Sequence, residues 1–256
     1  MPQYKAIYYN RLQGAVVPDQ KAFGLTFVRA PSNLISDMAS PFVLKKHLTE
    51  YGHRLYQRGF LAGADGNISV RLDDDRVMVT PSGIAKGFMT PDDAVIVDFA
   101  GKVRQGSHQA SSELLMHLFV YQAREDVFAC VHSHAPFATS FAVAGIALPE
   151  DVLPEVVLTV GKIPLTDYAP PGTDAVPKSL EPHIESANAF LLRNHGLLTL
   201  GRNLEEAYNR HETVEHLARI VYQARHLGNI DAIPSDDFQR LERMRSRLDE
   251  FWDKKK

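Results

Sequence analysis

Apolar residues recur along this chain with two periods. Leu44, Leu48, Tyr51, Leu55 and Tyr56 fall at helical spacing after Ser40-Pro41, an N-cap followed by a first-turn proline. Short runs follow. Ile68 to Arg71 and Val77 to Thr80 flank the turn Asp73-Asp74-Asp75, and Val95 to Asp98 with Lys102-Val103 flank Ala100-Gly101, so the pattern predicts two hairpins. A helix is expected from Ser111 to about Arg124, a buried strand over Val127 to Val131, and a small-residue helix over Ala135 to Ala144. Val156 to Val160 and Ile163 to Leu165 read as short strands, and Asp174 to Glu185 contains a short helix. Ala189 to Leu192 and Leu197 to Leu200 are strands around Arg193-Asn194-His195-Gly196. A long amphipathic helix from Asn203 to about Leu227 buries Leu204, Ala207, Tyr208, Val214, Leu217, Ala218 and Val221, and a charged peripheral helix follows Pro234. Irregular alternation with several hairpins favours an α/β layered fold on a mixed, mainly antiparallel sheet.

Two histidines sharpen this pattern. His132 and His134 end an apolar strand two residues apart, and strand side chains alternate faces, so both imidazoles point one way from a rigid backbone. His195 also ends an apolar strand and has a glycine beside it, which makes it the natural third ligand of a metal site with an open position. Zinc is the leading ion for such a donor set, with Mn, Fe, Co and Ni as alternatives. A cupin would place a glutamate three or four residues after its His-x-His pair, where this chain has Ala138 and Thr139. The segment His211 to His216 lacks zincin spacing, and on an exposed helix His211 with Glu215 reads as a surface pair. Ser111 and Ser112 stand at an expected helix N-terminus, where they suit either an anion or simple capping.

Composition narrows the classes. The chain has 256 residues, 45% hydrophobic, with net charge −3, so no global field favours nucleic acid. No apolar run reaches membrane-spanning length, and no Gly-x-Gly-x-x-Gly or Walker-type loop supports a nucleotide cofactor. The first residues lack the pattern of a secretory signal, and the single cysteine, Cys130, fits a reducing compartment and reads as a small buried hydrophobe. A cytoplasmic protein is expected. Residues 1–40 are the least patterned and read as an arm or lid, with the folded body over 41–256.

Five motifs, taken together, resemble a known family. Gly66-Asn67-Ile68-Ser69, Thr80-Pro81-Ser82-Gly83, Ser111-Ser112-Glu113, His132-Ser133-His134 and Arg193-Asn194-His195-Gly196 occur in the order and approximate spacing of the class II aldolase/adducin family. The sequence is most similar to its sugar-phosphate aldolase branch, over about residues 41 to 227. The resemblance implies a three-layer α/β/α sandwich around a mixed, mostly antiparallel sheet, and a homotetramer with sites at subunit interfaces. It implies Zn(2+) on His132, His134 and His195, Glu113 as the acid/base, and a substrate phosphate held by Gly66, Asn67, Ser82, Gly83, Ser111 and Ser112. The implied reaction is reversible cleavage of a ketose 1-phosphate to dihydroxyacetone phosphate and an aldehyde. The stretch Leu153 to Val157 lacks the tyrosine that the aldolase branch uses as a second proton donor, which leaves Glu155, Tyr168, a neighbouring subunit or water for that role. A dehydratase of the methylthioribulose-1-phosphate type and a sugar-acid-phosphate decarboxylase keep the same glutamate and histidines. A ribulose-5-phosphate 4-epimerase and an adducin-like binding protein fit less well.

Overall fold

The computed structural model describes residues 40–253 of the chain, so the arm expected over 1–40 lies, apart from Ser40, outside the described residues. In chain order the elements are α1 (Pro41–Gln57), β1 (Asn67–Arg71), β2 (Arg76–Val79), a 3-10 turn (Pro91–Asp93), β3 (Val95–Asp98), β4 (Val103–Gln105), α2 (Leu114–Ala123) and β5 (Ala129–Ser133). They continue with α3 (Pro136–Ala144), α4 (Pro154–Thr159), α5 (Ala175–Leu180), β6 (Ala189–Leu192), β7 (Gly196–Gly201), α6 (Leu204–Leu227) and α7 (Ser235–Asp253). The strands form one seven-stranded sheet in the order β4-β3-β2-β1-β5-β7-β6, and every neighbouring pair is antiparallel. The parallel component expected of a mixed sheet reduces to one isolated bridge, Leu165 to Leu191.

Strand alternation sorts the core into layers. Val77, Val79, Val95, Val97, Cys130, Phe190, Leu192, Leu198 and Leu200 face α2 and α5. Their neighbours Ile68, Val70, Met78, Ile96, Ala129 and Val131 face α1 and the start of α6. On that second side Ala189, Leu191 and Leu197 meet α3, α4 and the rest of α6. Helices therefore cover both faces, as an α/β/α sandwich requires. Each fully buried Leu, Val or Phe contributes about 1.5–3 kcal/mol of transfer free energy to this arrangement.

Four local readings need correction. Val156 to Val160 is not a strand: Pro154 opens α4, and Val156, Val157 and Val160 are buried at helical spacing. A short apolar run does not distinguish the two; Pro154 is compatible with a first helical turn, and packing against α6 and α7 selects the helix. Residues 163–165 contribute only the bridge, held by Leu191 N–H to Pro164 O and Thr166 N–H to Leu191 O, both at 2.9 Å. The helix expected from Ser111 begins at Leu114, after a turn through Ser112 and Glu113. His211 and Glu215 are buried rather than a surface pair, because α6 is covered on this side by α3 and by the sheet. The carboxylate of Glu215 accepts from the N–H groups of Phe137 and Ala138 at 2.9 and 2.8 Å, so it caps α3, whose own N-cap residue, Ala135, has no side-chain acceptor.

Candidate metal centre

The centre of the sheet supplies the site. Register places Asn67 of β1 beside His132 of β5, and His132 beside Leu198 of β7. His134 lies just past the end of β5, and His195 just before β7 begins. Even-numbered β5 side chains face α2, so His132 points toward Glu113 at the N-cap of that helix. Odd-numbered Ser133 points to the opposite side. There its Oγ lies 2.6 Å from His211 Nε2, and His211 Nδ1 lies 3.1 Å from Thr199 Oγ1. Thr199 donates its own proton to Ala207 O at 2.9 Å, so His211 Nδ1–H donates to Thr199 and Ser133 donates to His211 Nε2. Burial lowers His211 to about 3 and keeps it neutral. It braces the back of the histidine strand.

The three candidate ligands converge. One ring nitrogen each of His132, His134 and His195 lies within 4.8 Å of the others, and the ring centroids are 4.7 to 5.3 Å apart. The donor set fits a divalent metal ion. His132 Nδ1 is 3.0 Å from Leu197 O, a carbonyl that only accepts, so Nδ1 carries the proton and Nε2 presents its lone pair to the centre. The Nε2 atoms of His132 and His134 are buried without a hydrogen-bond partner. His134 Nδ1 is 3.4 Å from Asp65 Oδ2. Burial, with the two neighbouring imidazoles, lowers the pKa of His134 and favours the neutral form that binds metal.

Glu113 closes the group. Its Oε2 is 3.1 Å from His132 Nε2 and its Oε1 is 2.9 Å from His195 Nε2. These approaches are close but not aligned as hydrogen bonds, because Glu113 Oε1 and His132 Nε2 both stay unpaired. Burial raises the Glu113 carboxyl, and positive charge at the His132 and His195 rings would outweigh burial and lower it; a cation held by the imidazoles would act in the same direction. Asn67 Nδ2 donates to Glu113 Oε2 at 2.9 Å.

Two glycines make room. A Cβ on Gly66, which has φ 67°, would lie 2.7 Å from His132 O and 2.5 Å from Leu61 Cδ2. A Cβ on Gly196 would lie 2.5 Å from Ser133 O, 2.9 Å from His134 Cδ2 and 3.2 Å from His132 Cε1. Asn194 turns the chain between β6 and β7 with φ 55°, which asparagine tolerates better than most residues.

The residues expected at the phosphate fall on neighbouring loops. Pro81 and Ala110 form an antiparallel bridge, and Ser82 N–H donates to Gln109 O at 2.9 Å, so Ser82-Gly83 lies against the segment leading to Ser111-Ser112. Ser111 is buried, and its Oγ accepts from Glu113 N–H at 3.3 Å, while Ser112 and Gly83 are exposed. The Asn67 carboxamide is engaged by Glu113 and His117. Of the alternatives for the second proton donor, Tyr168 and Glu155 are exposed. Sequence reading missed Lys86. Its ammonium is buried and donates to Ala64 O at 2.6 Å, and burial lowers it to about 8 against the opposing pull of Asp65 and Glu113.

Comparison with known proteins shows the family and the fold. Residues 46–222 match the class II aldolase and adducin N-terminal domain. The L-fuculose phosphate aldolase of Methanococcus maripaludis strain S2 is 36% identical over 168 residues, covering 66% of this chain and 90% of that one. A 3-oxo-tetronate 4-phosphate decarboxylase of Haemophilus influenzae is 31% identical over 182 residues, covering 70% and 86%. A solved L-fuculose 1-phosphate aldolase superposes with a TM-score of 0.73 at 32% identity, covering 81% of this chain and 98% of that one.

Proposed function

The chain belongs to the class II aldolase/adducin family, and on that premise we propose that it is a zinc-dependent aldolase that reversibly cleaves a ketose 1-phosphate to dihydroxyacetone phosphate and an aldehyde. The observation that carries the reading is the convergence of His132, His134 and His195 with the Glu113 carboxylate against two of the three rings. A divalent cation held by the three imidazoles supplies Lewis-acid stabilisation for the negative charge that C–C scission leaves on the ketone-derived fragment.

The chain's own groups do the rest. In cleavage, the second acid/base group takes the proton of the hydroxyl on the carbon that becomes the aldehyde, the C–C bond breaks, and Glu113, entering this direction as the carboxylic acid, gives its proton to the enediolate carbon and is left as the carboxylate. In synthesis Glu113 removes that proton from dihydroxyacetone phosphate. Its side chain is half-buried, and Asn67 holds one of its oxygens in place. Ser82, Gly83, Ser111 and Ser112, with Gly66 and Asn67, bind the phosphate through hydroxyl and backbone N–H groups, a form of anion recognition that needs no guanidinium. The working protein is a cytoplasmic homotetramer of one domain beginning near residue 41. Among the described residues no helix is long and apolar enough to cross a membrane.

Incubation of the metal-loaded protein with dihydroxyacetone phosphate and a panel of aldehydes tests the reading by C–C bond formation. A second reading, decarboxylation of a sugar-acid phosphate, is favoured by the absence of tyrosine from Leu153 to Val157 and by the similarity to a decarboxylase. Carbon dioxide release from phosphorylated sugar acids, with no aldol product from any aldehyde, would transfer the assignment to it. Loss of water from a methylthioribulose-1-phosphate-type substrate would transfer it to a dehydratase.

A further inference from the structure

The face of β1 that looks toward α2 is polar although it is buried. Asn67, Ser69 and Arg71 alternate with core residues Ile68 and Val70, and all are at most 6% exposed. Opposite them stand Glu113, His117 and Tyr121, spaced four apart. Two strand residues advance about 6.6 Å and four helical residues about 6.0 Å, so the two periods stay in step over this length. The contacts follow that match. Asn67 Nδ2 is 2.9 Å from Glu113 Oε2, Asn67 Oδ1 is 2.5 Å from His117 Nε2, His117 Nδ1 is 2.6 Å from Ser69 Oγ, and Ser69 Oγ is 2.7 Å from Tyr121 Oη.

The direction of every proton in this chain follows from one charge. An ionised Glu113 only accepts, so Asn67 must turn its NH2 toward it and its carbonyl toward His117. His117 must then carry its proton on Nε2 and leave Nδ1 as an acceptor. Ser69 must spend its one proton on that Nδ1, which makes Tyr121 the donor to Ser69. Burial supports this assignment by keeping His117 neutral, with a pKa lowered to about 3.

We propose that Tyr121, Ser69 and His117 form a positioning relay that locks the Asn67 carboxamide with its NH2 on Glu113 and so fixes the carboxylate where it exchanges a proton with substrate. None of the three touches the reacting atoms. The proposal rests on the reading of Glu113 as the proton carrier. Without His117, the Asn67 amide is free to turn over and set its carbonyl against the carboxylate, and a small displacement of an acid/base group costs rate steeply. A purely structural role for His117 would require only that its two nitrogens be satisfied, in either tautomer.

The test combines a spectrum and a rescue. In the full-length wild-type protein labelled with [15N]histidine, the His117 resonances are identified by their loss in His117→Gln. A protonated Nε2 and a bare Nδ1 are expected, with the Nε2 proton protected from solvent exchange. A protonated Nδ1 would reverse every bond and overturn the proposal. In aldol assays, His117→Leu should lower kcat about tenfold or more with KM changed less than about threefold, and His117→Gln, which still offers a donor and an acceptor, should recover most of the loss. Wild-type kcat in His117→Leu would also overturn it. If His117→Leu does not fold, the tautomer in the wild-type protein still decides the question. Failure of the functional reading is seen separately, as full turnover by Glu113→Gln, which leaves the tautomer measurement untouched.

Discussion

Adding one methyl group at Gly196 should weaken metal binding without touching any ligand. The Cβ of Gly196→Ala would stand 2.5 Å from Ser133 O, which is 0.9 Å short of the 3.4 Å where ordinary contact begins. That oxygen belongs to the backbone of β5, and Ser133 pairs with Leu197 of β7, so it cannot rotate aside as a flexible side chain would. The same methyl would press on the rings of His134 and His132 at 2.9 and 3.2 Å. Relief requires β5 and β7 to part or the imidazoles to tilt, and overpacking of this kind costs about 1–3 kcal/mol. If the strain falls on the ligand geometry, zinc affinity drops about 5- to 150-fold at 1.4 kcal/mol per decade. Competition against a chromogenic chelator measures the affinity, and thermal unfolding of the metal-free protein measures the part of the strain that the strands absorb. Zinc affinity equal to wild type would refute the claim that Gly196 is there to let three imidazoles meet.

Three further outcomes are expected. His211→Leu removes the partner of Ser133 and Thr199 and should cost about 1–3 kcal/mol in chemical denaturation while metal stoichiometry is retained; loss of metal with unchanged stability would contradict its bracing role. Glu206 is half-buried, which alone raises its pKa, but hydrogen bonds from Arg202 and the charge of Arg210 outweigh this and lower it. Its folded pKa therefore lies below the unfolded value of about 4.3, so its stabilisation is complete above that value and declines as the pH falls through the folded pKa. Glu206→Gln should lose on the order of 2 kcal/mol at pH 7 and less in acid, and a deficit that grows toward low pH would be inconsistent with this sign. Ser111→Ala and Ser82→Ala should each raise KM for dihydroxyacetone phosphate several-fold with small changes in kcat, as steady-state kinetics will show, and unchanged KM in both would remove these loops from phosphate binding.

Much of this molecule is legible in the chain because its active elements obey simple periods. A period of two aligns His132 with His134, and the same period runs through β1, β2 and β3. The apolar strand ends mark His195 as well, because a histidine followed by glycine at the end of a buried run has few bland explanations. What escapes is information that depends on a second element. Val156 to Val160 looks like a strand because branched residues at adjacent positions suit either state, and only the packing of α4 against α6 and α7 selects the helix. His211 and Glu215 look solvent-exposed because α6 carries 24 residues with charges distributed around it, and the helix is buried along a broader arc than its apolar stripe suggests. The polar side of β1 is invisible for the same reason. The sequence marks a strand at Ile68 to Arg71 but not what its polar residues meet, and α2 covers Asn67 and Ser69 with Glu113, His117 and Tyr121.

The most direct test of the account needs no aldehyde. The metal-loaded protein is incubated with dihydroxyacetone phosphate in deuterium oxide, and exchange of the carbon-bound proton is followed by proton NMR. If Glu113 is the group that moves this proton at a three-histidine metal centre, the wild type exchanges it. Glu113→Gln, carrying the same metal stoichiometry, then does not. Equal exchange by the metal-loaded wild type and Glu113→Gln would contradict the central claim.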